Sequence, residues 1–423
     1  MRLGNIIKYY REKKGFSRER LSQNCFTTSQ LTSFELNETE PSTHQLEVIA
    51  EKLELNKSLF SQTSCPILEE KLFSCYKSTI SHNQKEAWKK LTLFNEEHQI
   101  GLTTTYVNTF LLYLIIKLNY FLLIQDKKVI DSLYEEISGL PKSLNSQIEY
   151  VRKRTLGIYY YRKNNNLKST QLLKEALTMV VSHPVCKEDC AGLYYQIALT
   201  SHKTSEIYDS IHYAEKALKI YEELVSCRRA AECHIILGLN YQKIYQYQLA
   251  EANYKSAKII GGNLQDIYLQ SMALHNLGFN QSCLGNSEDA IFYFLESLKM
   301  KKQEDRCLYT YYTLAKEYYK LDLFEFARGW ADEGLVLAKR SKIEDYIIHF
   351  TVFIYLLENN PKLETYISNY VLPYFTSAGN KGKVAQYAET LADYHSKKEN
   401  YQNASTYYQM SLQVQKGIAG AVY

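Results

Sequence analysis

The chain has 423 residues, 45% hydrophobic and 23% charged, with a net charge of +4. That composition excludes a disordered chain, and the small net charge excludes wholesale coating of nucleic acid, so any DNA contact must come from a local patch. Only 17 glycines and 6 prolines exclude the many tight turns of sandwiches, barrels and propellers and favour long helices.

Met1 to Asn5 run into a charged amphipathic stretch without the apolar core of a secretory signal, so export is not expected and a cytoplasmic location is. Residues 1–24 hold seven Lys or Arg against two Glu, whereas residues 25–62 hold two Lys against six Glu. Leu3, Ile6, Ile7 and Tyr10 recur at helical spacing, and Gly15 stops this first helix after the basic run Arg11 to Lys14. Ser17 caps a second helix reaching Gln23, with Leu21 inward, before a break at Asn24, Cys25 and Phe26. Thr27 caps a third helix with Leu31 and Phe34 inward, and Asn37 ends it in the left-handed conformation. Ser42 to Gln45 have capping-box spacing and open a fourth helix whose Leu46, Ile49, Ala50 and Leu53 face the core.

Leu3, Gly4, Ile7, Arg11, Gly15 and Ser17, continued by Leu21, Phe34-Glu35, Pro41-Ser42 and Ile49-Ala50 with Leu53, carry a resemblance over about 55 residues. The pattern resembles bacterial helix-turn-helix repressors of the xenobiotic-response-element type. The resemblance implies that the third helix enters the major groove, with Thr28, Ser29, Thr32 and Ser33 towards base edges and Gln30 beside them. It places Arg18 against the DNA backbone, where Lys13, Lys14 and Arg20 add phosphate contacts. The chain departs from the family at Cys25, which stands where Gly is common and threatens to strain the turn, and at Asn37, which replaces another common Gly.

Pro66 and Pro141 bound a helical stretch that reads as one or two divergent hairpins. Its most apolar run, Phe110 to Ile124, contains Lys117 and Asn119 and is too short and too polar for a membrane span, so it reads as a buried helix.

Beyond residue 150 the chain repeats at an offset near 40. Gly157, Ala198, Gly238, Gly278, Ala315 and Ala392 form one series, and Ser169, Ser210, Ala250, Ala290, Ala327 and Ala404 follow 12 residues later. Ala176, Ala217, Ala257, Ser297, Gly334 and Ser411 follow the first series by 19. Antiparallel helices approach closely only where side chains shrink, so each unit is a helical hairpin. This resembles the tetratricopeptide repeat over residues 150–339 and 385–417, with a degenerate unit near 346–376 that lacks the small triplet and carries Pro373.

The expected fold class is therefore all-α: an N-terminal helix-turn-helix domain followed by a right-handed superhelix of tetratricopeptide-like hairpins. The domains are 1–62 for the head, 63–149 for a linker with divergent hairpins, and 150–423 for the repeats. The first helix of each pair builds the concave wall of such a stack. On it lie Tyr195, Gln196, His234, Asn240, His275, Asn276, Phe279 and Tyr311. Of these, Gln196, Asn240, His275, Asn276, Phe279 and Tyr311 are the expected peptide-binding residues, because amides pair with a peptide backbone whatever its side chains. Arg152, Arg154, Arg228 and Arg229 are candidates for a ligand carboxylate.

The combination resembles the cytosolic peptide receptors of Gram-positive bacteria, the Rap/NprR/PlcR/PrgX/Rgg group, and is most like the NprR and Rap branch. That resemblance implies a quorum-sensing transcription regulator whose partners are DNA, a short imported signalling peptide and a second copy of the chain. The alternative it implies is Rap-like action on a response regulator, for which Gln84 and Gln99 are amides able to orient water. No phosphate loop, metalloprotease helix, dinucleotide fingerprint or nucleophile elbow occurs, so no enzyme, catalytic residue, cofactor or membrane association is expected. Nine cysteines, an odd number, have no zinc-site spacing and read as reduced thiols, with no metal site.

Overall fold

The computed structural model describes residues 2–61, 64–98, 106–181, 185–300 and 307–419. Among them every regular element is a helix, and the chain forms two compact units, residues 1–244 and 245–423.

The first unit begins with α1 (Leu3–Lys13), α2 (Arg18–Ser22), α3 (Thr28–Glu35), α4 (Thr43–Lys52) and the single turn α5 (Ser58–Ser61). Local chemistry sets these boundaries. Ser17 accepts from the Arg20 amide, and Thr27 with Gln30 and Ser42 with Gln45 form complete capping boxes. Asn37 takes the left-handed conformation at φ 60°, as expected, and its Oδ1 accepts from the Gly4 amide at 2.9 Å, tying α1 to the end of α3. A Cβ on Gly4 would sit 1.8 Å from the Phe34 carbonyl oxygen, so only glycine allows this approach. The strain expected at Cys25 does not arise, because Asn24 takes the left-handed position at φ 62°.

Then come α6 (Pro66–Ile80), α7 (Gln84–His98), α8 (Val107–Ile124) and α9 (Lys127–Gly139). Pro66 stands in the first turn of α6, where its missing N–H is harmless. The apolar helix α8 is 83% buried inside the structure, as a core helix should be. One continuous apolar core runs from Ile6 in α1 through α8 to Ile197, and Lys13 reaches Glu136 of α9 at 3.5 Å.

The unit closes with α10 (Ser146–Arg162), α11 (Asn166–Val180), α12 (Lys187–Lys203), α13 (Ile207–Glu223) and α14 (Cys227–Lys243). The small residues lie in the hairpin seams. Ser169 Oγ donates to the Gly157 carbonyl at 2.6 Å and Ser210 Oγ to the Ala198 carbonyl at 2.7 Å, so the series offset by 12 also bonds its hairpin together. Three of the helix connections pass through one left-handed residue, Asn164, Ser205 or Val225, and close with a bond from the next amide to a carbonyl five residues back, such as Ser226 N to Tyr221 O at 2.8 Å.

The second unit contains α15 (Tyr247–Asn263), α16 (Ile267–Leu284), α17 (Ser287–Met300), α18 (Leu308–Lys320), α19 (Phe324–Ser341), α20 (Glu344–Leu357), α21 (Leu363–Tyr366), α22 (Leu372–Ser377), α23 (Lys381–Lys397) and α24 (Tyr401–Ala419). A Cβ on Gly278 would lie 2.7 Å from the Phe294 ring, which explains the small residue in that seam. The degenerate hairpin keeps its first helix, α20, but its second is broken: a π turn over Ile367–Val371 separates α21 from α22. Pro373 cannot donate to the helical ladder and leads into α22, so the disturbance falls where the sequence puts it.

Candidate functional site

The head is fastened by one buried carboxylate. Glu35 on α3 receives Arg11 of α1 through Nε at 2.5 Å and Nη2 at 3.1 Å, and Arg18 of α2 through Nε at 2.9 Å. The Glu35 side chain is 1% exposed and that of Arg11 9%, and the hydrogen bond to Glu35 holds the Arg11 guanidinium above its ordinary range. Sequence reasoning assigned Arg18 to the DNA backbone; it is fixed by Glu35 with part of its guanidinium still open.

Thr28 and Ser29 are exposed at the start of α3, and Thr32 and Ser33 are half-buried one turn on. Gln30 is partly engaged: its Oε1 accepts from the Thr27 amide at 2.9 Å and closes the helix start, so this exposed side chain has its Nε2 left to donate to a base. The expected phosphate contacts also have internal neighbours. Lys13 lies near Glu136 and Lys14 pairs with Glu54 at 2.9 Å, while the Arg20 guanidinium sits 4.0 Å from the Phe16 ring centroid. Exposed pairs of this kind hold weakly and exchange readily for phosphate.

The first unit encloses a cavity of about 180 Å³ between α6, α8, α10 and α12, with walls that include Asn119, Arg154, Arg162, Tyr195, Gln196 and Arg229. Two polar atoms in this wall, Arg154 Nε and Gln196 Oε1, are buried and make no hydrogen bond. Arg154 is otherwise held hard: Nη1 lies 2.5 Å from Asp189 Oδ1 and 2.7 Å from the Tyr76 hydroxyl, tying α6, α10 and α12 together. Burial works against its charge, but Asp189 and the neighbouring tyrosines keep it well above the ordinary arginine range. Gly192 leaves room for this guanidinium, since a Cβ there would lie 2.6 Å from Nη2. Arg229 pairs with Glu232 at 2.5 Å. A ligand here meets amides that both donate and accept, together with cationic groups that draw a carboxylate.

The sequence-predicted groove residues divide. Gln196 and Tyr195 line the cavity, with burial raising the Tyr195 hydroxyl well above its usual range. Asn240 is corrected to an interior residue: it has no exposed surface, its Nδ2 donates to Ser210 Oγ at 2.7 Å, and its Oδ1 bonds His202 Nδ1 at 2.7 Å. Arg152 is likewise internal, donating to the Ile137, Leu140 and Pro141 carbonyls where α9 ends. Its missing partners in sequence are backbone atoms, which no motif announces. Arg228 is exposed and lies 3.7 Å from Glu232.

In the second unit, His275 is corrected to a core residue, 8% exposed, with Nδ1 3.2 Å from Thr310 Oγ1 and its ring between Phe294 and Tyr309. Asn276 is half-buried and Phe279 exposed on the same open face of α16 as Met272 and Cys283, at helical spacing. Tyr311 is half-buried against Trp330, ring centroids 5.3 Å apart. Gln84 begins α7 and is exposed, whereas Gln99 lies outside the described residues.

No family model matches the chain. It is 29% identical over 408 residues to the transcriptional activator NprA of Geobacillus stearothermophilus, spanning 94% of this chain and 99% of that protein. The chain is similar to the NprR and Rap regulators. Response regulator aspartate phosphatase A of Bacillus subtilis is 23% identical over 292 residues, 68% of this chain and 76% of its own length. Among solved structures, the apo quorum sensor NprR from B. thuringiensis aligns with a TM-score of 0.71 at 20% identity, over 82% of this chain and 98% of NprR. A Rap protein complexed with competence and sporulation factor aligns with 0.69 at 18% identity, over 84% and 98%. Likeness to NprR and Rap at this identity establishes the fold, the all-helical stack of hairpins expected from the small-residue series.

Proposed function

We propose that the chain is a peptide-responsive transcriptional regulator that binds DNA through α1 to α4 and an imported signalling oligopeptide through its helical repeats. The observation that carries this reading is the cavity where Arg154 Nε and Gln196 Oε1 stand buried without hydrogen bonds among further arginines. Such atoms cost free energy unless a ligand supplies their partners. Likeness to a transcriptional activator over nearly the whole chain supports the DNA-binding half. A cytoplasmic location, the head and repeat boundaries near residues 62 and 149, and assembly as a homodimer or higher oligomer belong to the same reading. The chain then has no catalytic role of its own. A second reading, docking to a response regulator, draws on the likeness to response regulator aspartate phosphatase A. Peptide and DNA are coupled only if the peptide binds one arrangement of the heads better than another.

The test uses the full-length protein. A DNA fragment from upstream of its own gene is titrated at several salt concentrations, and a library of short synthetic peptides is scored by thermal shift. Binding is expected to weaken steeply with salt, and Gln196→Ala should weaken an active peptide about tenfold, the effect of one lost hydrogen bond to a buried group. No DNA binding at any salt overturns the regulator reading, and equal peptide response of wild type and Gln196→Ala overturns the cavity assignment.

A further inference from the structure

A second cavity, of about 390 Å³, lies beyond the Arg154–Asp189 pair: Arg154 lines the first cavity and Asp189 this one. Its size and make-up are those of small-molecule pockets, with mostly apolar walls and a few convergent polar groups. Phe73 and Ile80 of α6 and Val151 of α10 supply apolar wall. At its base stand Tyr150, 2% exposed, and Asp189, 3% exposed. The Tyr150 hydroxyl is buried beside the Asp189 carboxylate without meeting it in a well-formed hydrogen bond. Lys77 stands exposed at the edge, with no ion pair among the described residues. Ile80 and the Arg154–Asp189 pair form the partition shared with the first cavity, whereas Tyr150 and Lys77 face only this one.

The base selects its ligand by charge. A carboxylate there would face Asp189, and an ammonium would face Arg154, which lies 2.5 Å behind that carboxylate. A neutral hydroxyl meets both requirements by bridging the two, accepting from Tyr150 and donating to Asp189. Lys77 then draws an anion at the edge, and the walls take an apolar body between. We propose that this cavity is a second ligand site, separate from the peptide cavity, that takes a small hydroxylated aromatic acid.

The experiment measures binding of 4-hydroxyphenylacetate to the full-length protein by calorimetry, with phenylacetate, which lacks the hydroxyl, as control. Saturable binding of the phenol is expected, weakened about tenfold in Tyr150→Phe, with phenylacetate binding wild type and that variant equally. Lys77→Met, at an exposed position, should weaken both acids and flatten the salt dependence. Gln196→Ala, the variant that tests the peptide reading, should leave this binding unchanged. Absence of saturable binding overturns the proposal, as does equal affinity of wild type, Tyr150→Phe and Lys77→Met for the phenol.

Discussion

Replacing Glu35 by alanine should open the head locally, most strongly around α1 to α3. The carboxylate is the common partner of two arginines, at 2.5 and 3.1 Å from Arg11 atoms and 2.9 Å from Arg18 Nε. Its loss leaves the Arg11 guanidinium, 9% exposed, with the Phe16 carbonyl at 3.0 Å and the largely solvated Glu12 carboxylate at 3.2 Å as its remaining partners. Stranding a buried charge outright costs about 3–5 kcal/mol, and the solvated Glu12 brings the loss here to the lower end of that range. A segment of some 60 residues holds only a few kcal/mol of stability, so the cost is comparable with the whole. Arg18 contributes little to this, because its side chain is 40% exposed and returns to water. Removing both buried partners together, in Arg11→Met with Glu35→Leu, should therefore restore most of the loss. Amide hydrogen exchange in the full-length chain reads this directly, through the opening free energies at Ile6, Leu21 and Leu31, which pack the head core. Glu35→Ala should make those amides exchange hundreds of times faster, with the double variant close to wild type. An Ala variant within a factor of five of wild type, or a double variant as fast as the single, refutes the account.

Two further outcomes concern the repeats. Val225 is a β-branched residue held at φ 53° and 78% exposed, so Val225→Asn should stabilise the first unit by about 1 kcal/mol, read as a rise in denaturation midpoint; an unchanged or lower midpoint counts against left-handed strain. His349 is 6% exposed and hydrogen-bonded to the Tyr387 hydroxyl, and burial, aided by Lys383 and Lys316, pushes it down to about 3. The unfolded chain takes that proton near its ordinary value, so as the pH is lowered from about 6.5 to 3 unfolding takes up a proton and stability decreases, by up to about 1.4 kcal/mol per unit. His349→Phe should flatten the dependence over that window, and identical slopes in the two proteins remove the assignment.

How far the sequence could be read depended on the range of the interaction. Ser17, Thr27 and Ser42 announce their helices because a cap bonds an amide two or three residues on, and the same locality makes Gly157, Ser169 and Ala176 visible as a seam. Amide side chains were not separable in this way. Gln196 and Asn240 occupy comparable stretches of their first helices, yet one lines a cavity and the other bonds Ser210 and His202 inside the stack. That distinction depends on partners 30 and 38 residues away. The link between Arg154 and Asp189 and its hydroxyl partner Tyr76 are equally long-range. Gln30 is subtler, since its capping-box spacing engages Oε1 at the helix start while the helix-turn-helix resemblance aims the same side chain at a base.

The hairpin turns explain how much of this chain is free to drift. Their closing bonds join backbone to backbone, and the left-handed position is held in turn by Asn164, Ser205, Val225, Gln265, Asp322, Lys342 and Glu399. No side chain is specified there, so mutation can rewrite a turn at a cost of about 1–2 kcal/mol or less while the fold persists. Selection can then act on the seams and leave the connections nearly neutral. Two such proteins can share a stack at 20% identity, as this chain and NprR do.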